Sequence, residues 1–243
     1  MKKLLLSLSF FLLFVISLSA REGMETSVNV SLMGGPGIHN FTNLEAHLKQ
    51  QDVMGRDVNF TSVGFETGGY VGGMVRGVFM KNLLVGLSVH GLFIPKKSAD
   101  RAALVMRQRG GHVNIGYTFL NRYLMMSSVY GGLGYDRLDF ELTNKTDTED
   151  LNFFPDQPIP PQSTETYSLE GISYELGVSI KRHYPFAKNK SEGFSLLFGA
   201  DLGARLMADP DGWAIDSQDG PPYDTQLGAY LRLTLGVAYY NKD

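Results

Sequence analysis

From Gln226 to Tyr240, apolar and small or polar residues alternate without a break. Leu227, Ala229, Leu231, Leu233, Leu235, Val237 and Tyr239 stand against Gln226, Gly228, Tyr230, Arg232, Thr234, Gly236 and Ala238. A period of two predicts a strand with one apolar and one wet face. The run is more than twice the roughly 5–6 residues usual for a strand. Seven further segments carry the same pattern: 24–33, 63–79, 83–93, 105–119, 123–140, 167–182 and 194–208. The segment 123–140 changes phase. Val129, Leu133 and Tyr135 share one parity while Leu138, Phe140 and Leu142 share the other, which predicts a bulge near Asp136–Arg137.

The connections between these strands also alternate. Short or moderate turns are read at Met80–Asn82, Leu120–Arg122 and His183–Gly193, and longer stretches at Gly34–Ser62, Pro95–Leu104, Glu141–Thr166 and Asp209–Asp224. Long loops on one side and short turns on the other is the arrangement of outer-membrane barrels. The expected fold is all-β: an eight-stranded antiparallel up-and-down transmembrane β-barrel.

The N-terminus adds an address. Lys2 and Lys3 precede an apolar run from Leu4 to Leu18, and Ser17, Ser19 and Ala20 offer small residues for cleavage. The run is short of the roughly 20 residues that a membrane-spanning helix needs, so residues 1–20 read as a cleaved signal peptide and 21–243 as the barrel. Loss of Lys2 and Lys3 takes the net charge from −3 to −5, which gives no reason to expect nucleic acid. The chain has no cysteine, so neither a lipid anchor on cysteine nor a disulfide is available to it. A mean hydropathy of −0.09 fits strands whose alternation averages out. The 28 glycines and 12% aromatic content suit curved strands and interfacial girdles.

Signal peptide, eight long amphipathic strands and sorted loops together resemble the small OmpA-like and OmpX-like barrels. In length and loop style the chain is similar to the PorT-like barrels of Bacteroidetes. The resemblance covers nearly all of residues 21–243 and implies an integral protein of a Gram-negative outer membrane, with outer-membrane lipid and lipopolysaccharide around it and the barrel-insertion machinery as a partner in biogenesis. One departure is that Asn241, Lys242 and Asp243 follow the aromatic pair Tyr239–Tyr240.

The inward faces gather charge: Glu66, Arg76, Glu175, Lys181, Asp201, Arg205 and Arg232, with His90 and His112 beside them. An eight-stranded barrel has an interior just wide enough for side chains to fill, and unpaired charges there are costly. These residues are therefore expected to form a lumen polar network, with Arg232 paired to Asp201, Glu66 or another inward acid. The alternative reading is an ion path and a small channel or export-apparatus component. Lipid-deacylase chemistry needs a serine, a histidine and an acid facing lipid, and that set is not visible, so no catalytic role is expected. Asp209, Asp211, Asp216 and Asp219 lie in turn-rich sequence rather than a calcium loop, and no metal or cofactor is expected.

Residues 41–51 are read as a short helix on the first long loop. The aromatics and prolines of 144–162 offer a surface, and an extracellular protein partner is expected through loops 141–166 and 209–224. The function that follows is a non-enzymatic, structural or surface-interaction role. A soluble lipocalin-like binder of small ligands would need charged outward faces, which the last three strands lack. The strand pattern also makes Leu233→Arg, toward lipid, a harsher change than Thr234→Arg, toward the lumen.

Overall fold

The computed structural model describes residues 24–41, 65–122, 124–154, 157–187, 191–208 and 226–242. The segment read as a signal peptide, the short helix and the aspartate-rich loop fall outside the described residues, apart from Phe41. Eight long strands are present: β1 (Met24–Asn40), β2 (Phe65–Phe79), β3 (Leu83–Ser98), β4 (Ala102–Arg122), β5 (Met125–Asn144), β8 (Thr164–Pro185), β9 (Glu192–Ala208) and β10 (Gln226–Lys242). Two short strands, β6 (Leu151–Phe154) and β7 (Gln157–Ile159), form a separate hairpin between β5 and β8.

The long strands pair antiparallel with their neighbours in chain order, and β1 pairs with β10 to close the barrel. Within the apolar belt, closure pairs each described strand on both sides, as a membrane requires. The alternation read along β10 becomes geometry: Leu227, Leu231, Leu233, Leu235, Val237 and Tyr239 are exposed outward, while Tyr230, Arg232, Thr234 and Tyr240 are buried inward. The same sorting places Val28, Val30, Leu32, Val71, Val75, Leu87, Val89, Val113, Ile115, Leu176 and Ile180 on the outer surface. Leu227 to Tyr239 covers about 40 Å of strand at ~3.3 Å per residue. At a tilt of about 45° this crosses ~28 Å, close to a bilayer's ~30 Å hydrocarbon core.

Aromatic residues mark both rims of this apolar belt. Phe79, Tyr184, Phe186, Phe194 and Tyr239 lie outward at one end, and Phe93, Tyr135 and Tyr174 at the other. At the first rim, Phe194 and Tyr239 meet edge to face with ring centroids 5.5 Å apart. The second rim faces the long loops.

Several expectations about β5 and the connections change: β1 continues through Gly34 to Asn40, and Leu120–Arg122, read as a turn, is the end of β4. β5 has no bulge at Asp136–Arg137. Its pairing with β4 and with β8 runs in unbroken register through those residues, and the irregularity in the β4–β5 ladder lies instead between Thr118 and Leu120. The long loop read at Pro95–Leu104 is mostly strand: β3 and β4 continue to Ser98 and Ala102, where Ala99 N–H donates to the Ala102 carbonyl at 2.8 Å. The stretch 141–166 is partly strand and holds the β6–β7 hairpin. Its fold is fixed by Asn144, whose Nδ2 donates to the carbonyls of Glu149 and Ile159 at 2.8 and 2.9 Å.

The short turn at Met80–Asn82 is where expected. Met80 and Lys81 both hold left-handed backbone, with φ of 50° and 70°, a conformation uncommon outside glycine. Asn121 Nδ2 donates to the Lys81 carbonyl and Asn82 Nδ2 to that of Thr118, each at 2.6 Å, tying this turn to the end of β4.

Candidate functional site: a packed lumen beneath an apolar cap

Inside the belt, the barrel axis is filled by a charged network. Its centre is Glu175 on β8. Oε1 accepts from Arg232 Nη2 at 2.6 Å and from the Tyr230 hydroxyl at 2.5 Å, and Oε2 accepts from Arg205 Nη2 at 3.0 Å. Arg232 also donates to Tyr130 Oη at 2.8 Å, and the two tyrosine hydroxyls lie 3.0 Å apart. One level lower, Arg76 Nη1 donates to Asp201 at 3.0 Å, and its guanidinium stacks 4.0 Å above the Tyr130 ring. Lys181 Nζ donates to Asn29 Oδ1 at 3.3 Å. Charge-assisted bonds of this kind are stronger than neutral ones and are strengthened further where water is excluded.

Glycines make the network fit. A Cβ on Gly177 would meet the Tyr130 ring at 2.6 Å, and one on Gly203 would meet the Tyr230 ring at the same distance. The two tyrosines lie across the lumen only because β8 and β9 present bare backbone to them.

Arg232 thus pairs with Glu175, although Asp201 is its cross-strand neighbour in the ladder. Asp201 is taken by Arg76, and Glu66 lies higher, in an ion pair with Lys97. Arg205 bridges two levels, reaching Glu175 below and the Tyr70 hydroxyl and His90 Nε2 above. His90 and His112 stack at 5.4 Å between ring centroids. All nine predicted lumen residues are buried: Glu66, Arg76, His90, His112, Glu175, Lys181, Asp201, Arg205 and Arg232. Seven are linked by bonds or ring contacts, Lys181 is bonded to Asn29 and Met74 instead, and Glu66 belongs to the mouth.

Strand alternation places Tyr70 and Tyr230 on the inward face, where the structure has them buried, but it does not show that their hydroxyls join the charged network. Asp136 occupies the turn-like position where a bulge was expected, yet it is fully buried and accepts from Gln108 Nε2 at 3.0 Å.

His112 Nε2 lies 2.8 Å from Ser173 Oγ, and its Nδ1 lies 3.6 Å from Glu175 Oε2. The order serine, histidine, acid is that of an activated nucleophile. Here the serine is fully buried and the acid is already bound by two arginines and a tyrosine. The arrangement works as an internal hydrogen-bond chain.

Above His90, His112 and Asp136 the interior changes character. Tyr70, Leu92, Ile94, Ala102, Leu104, Met106, Leu138, Phe140, Leu142, Tyr167 and Leu169 point inward and pack with Leu151 and Ile159 of the β6–β7 hairpin. At the opposite end Val78, Met126 and Tyr240 form a smaller apolar cluster. The polar network lies between two apolar layers.

The outside changes at the same height as the cap. Beyond Val113, Tyr135 and Ile172 the outward face of β4, β5 and β8 carries charge. Arg107 is 3.4 Å from Glu141, Arg109 3.3 Å from Asp139, and Arg137 reaches Asp139 at 2.6 Å and Glu170 at 2.7 Å. Partial burial works to raise the Asp139 pKa, but hydrogen bonds from Arg137 and Ser168 and the nearby guanidinium charges outweigh it and hold this carboxyl below its ordinary range. The Tyr167 hydroxyl, in the cap, is pushed up to about 12 by burial.

No protein-family model matches the chain, and no curated protein matches it. Three solved structures of similar outline are outer-membrane proteins. Ail, the attachment invasion locus protein of Yersinia pestis, is 12% identical over 89% of this chain and 99% of its own, with a TM-score of 0.46. The outer-membrane protease OmpT of Escherichia coli is 8% identical over 89% and 96%, with a TM-score of 0.38. OprG of Pseudomonas aeruginosa is 10% identical over 92% and 98%, with a TM-score of 0.29. These are likenesses of outline; the barrel described above stands on its own strand pairing.

Proposed function

We propose that this chain is an integral outer-membrane barrel with a closed lumen, exported by a cleaved signal at residues 1–20, whose contact surface is its loop-bearing end. One observation carries the reading: an apolar, aromatic-rimmed belt encloses an interior whose central acids and arginines are buried and paired with one another. A belt of this height exposed to water would be an aggregation liability, whereas in a bilayer it is the stable arrangement. The lipocalin-like alternative needs the reverse, an apolar interior along the barrel and charge outside.

The packed network and its two apolar layers favour a structural or surface-interaction role over a small channel or export-apparatus component. An ion path needs sites weak enough to leave, and these charges are committed to one another. The wall built by β4, β5 and β8 rises past the belt, and its arginines and carboxylates stand at headgroup height. Lipopolysaccharide is the lipid partner that fits them, and the stretch 141–166, with its hairpin, is the surface offered to an extracellular protein. OmpA-like, OmpX-like and PorT-like barrels remain the families this design fits.

The test combines fractionation with conductance. The protein should partition with outer membranes and migrate differently on gels before and after boiling. In planar bilayers it should give no discrete conductance steps. Recovery in the soluble periplasm would end the membrane reading, and regular unitary conductance would replace the closed barrel with a channel.

A further inference from the structure

The two rims of the belt carry their charge differently. On the loop-bearing side, Arg107, Arg109 and Arg137 each stand within 3.4 Å of a carboxylate. On the turn-bearing side, Arg122 at the end of β4 and Arg182 on β8 are both exposed on the outer face. Met125 of β5 lies between them in the ladder, opposite Arg122 on one side and Arg182 on the other, and Phe198 of β9 follows beyond Arg182. This row holds two cations and no acid. Glu192, on β9 at the same end, accepts instead from the Tyr239 hydroxyl at 2.9 Å.

The neighbours of Arg182 fix its height. Ile180, two residues before it, is exposed on the belt, and Tyr184, two residues after it, belongs to the aromatic rim. The Arg182 guanidinium lies 5.2 Å from the Tyr184 ring centroid, and that ring meets Phe198 edge to face at 5.6 Å. The stacked ring holds the charge toward the rim rather than along the belt. An arginine placed so keeps its stem on apolar surface and its head in the polar interface. Neighbouring strands lie about 4.8 Å apart, so two spacings set the backbones of Arg122 and Arg182 about 10 Å apart. Two extended arginine side chains can close that gap around one phosphate group.

We propose that Arg122 and Arg182 clamp the phosphate of one anionic phospholipid in the leaflet on the turn-bearing side, its acyl chains lying along the belt beside Ile180. The guanidinium fork matches phosphate oxygens and stays charged at any working pH. The class of lipid follows from the lack of acid in the row. A zwitterionic headgroup brings an ammonium that two arginines repel, whereas phosphatidylglycerol brings net negative charge and no cation. The inference rests on the membrane reading above and adds to it a lipid recognised on one side of the bilayer.

The test is lipid retention. The full chain is refolded into vesicles of phosphatidylcholine with a minority of phosphatidylglycerol and extracted in mild detergent, and the lipids that stay bound are identified by native mass spectrometry. Folding is scored by the gel shift. One basic residue beside an anionic surface favours it roughly fivefold, so the pair predicts about a 30-fold preference for phosphatidylglycerol at low salt. Arg122→Gln combined with Arg182→Gln should abolish the preference, while Arg107→Gln combined with Arg109→Gln should keep it. If the first pair does not fold, Arg182→Gln alone decides, with an expected loss of roughly fivefold. Inorganic phosphate should not displace the lipid, because it lacks the acyl chains that the belt holds. Equal retention of both lipids by folded wild type, a preference that survives the deciding variant or falls with the Arg107 and Arg109 pair, or displacement by inorganic phosphate overturns the clamp and leaves the membrane reading standing. A chain that inserts neither into these vesicles nor into pure phosphatidylcholine overturns the membrane reading and the clamp with it.

Discussion

Strands β4, β5 and β8 are each built two ways along their length. In the belt, β5 sends Val129, Leu133 and Tyr135 outward and buries Ser128, Tyr130 and Asp136. A few residues on, it sends Arg137, Asp139 and Glu141 outward and buries Leu138, Phe140 and Leu142. Leu133 is 55% exposed and Leu138, five positions later, 0%. β4 and β8 make the same exchange at the same height. The pleat does not slip and the register does not shift; the solvent changes. Below the line the outer face meets an apolar medium and the interior carries the polar groups. Above it the barrel wall stands in water and is organised as a soluble protein is, with apolar residues in and charges out. A parity switch in an amphipathic strand therefore signals a bulge in one context and the edge of a membrane in another.

The largest effect should come from breaking the lumen at its centre. Glu175→Leu leaves Arg205 and Arg232 buried without their carboxylate and is expected to cost about 3–5 kcal/mol. Urea unfolding of the refolded barrel in lipid or detergent measures it, and a loss below about 1 kcal/mol would mean that the interior is hydrated rather than packed.

A second change sets the two halves side by side. Leu233→Arg, on the outer face within the belt, should cost about 2–4 kcal/mol in a bilayer. Val105→Arg, also on the outer face but above the line and opposite Glu141, should cost less than about 1 kcal/mol. Equal penalties would erase the boundary. Thr234→Arg is not the mild substitution that strand parity alone makes it. Thr234 is buried, and a Cβ on Gly199 would already meet its hydroxyl at 2.8 Å.

Smaller still is the outer charge ladder. Arg109→Ala removes an exposed pair with Asp139 and should lower stability by less than about 1 kcal/mol, an effect that salt diminishes.

The smallest effect is the pH dependence of Asp139. Its carboxyl titrates lower in the folded protein than in the unfolded chain, so its contribution is fully present above the unfolded value of about 3.9 and is lost as pH falls through the folded value. Asp139→Asn should therefore narrow the gap between stability near neutral pH and stability in acid. A variant that widens that gap would contradict the assignment.

Much of this was legible in the chain. Eight strands, their faces and an inward set of charges follow from alternation and from the rule that charge avoids an apolar medium. What was not legible has a common cause. Parity places a residue inside or outside but says nothing about the medium at its height, so Leu138 and Phe140 mimic a bulge and Pro95–Leu104 mimics a loop. Parity puts Tyr70 and Tyr230 inward but does not say that their hydroxyls bind Arg205 and Glu175. The histidines were visible as an inward pair, but Asp136 and Gln108, which complete their surroundings, were visible only as turn-like or neutral residues.

By itself, then, the sequence determined the strand pattern and the greasy outer face, because a period of two is a local property of neighbouring residues. Only the tertiary structure decided which acid meets which base and where inside and outside exchange roles. Arg76 and Asp201 are 125 positions apart, and Arg232 passes over its ladder neighbour for Glu175, 57 positions away. Such choices depend on closing the barrel, since only the closed lumen sets the heights at which side chains from opposite walls can meet.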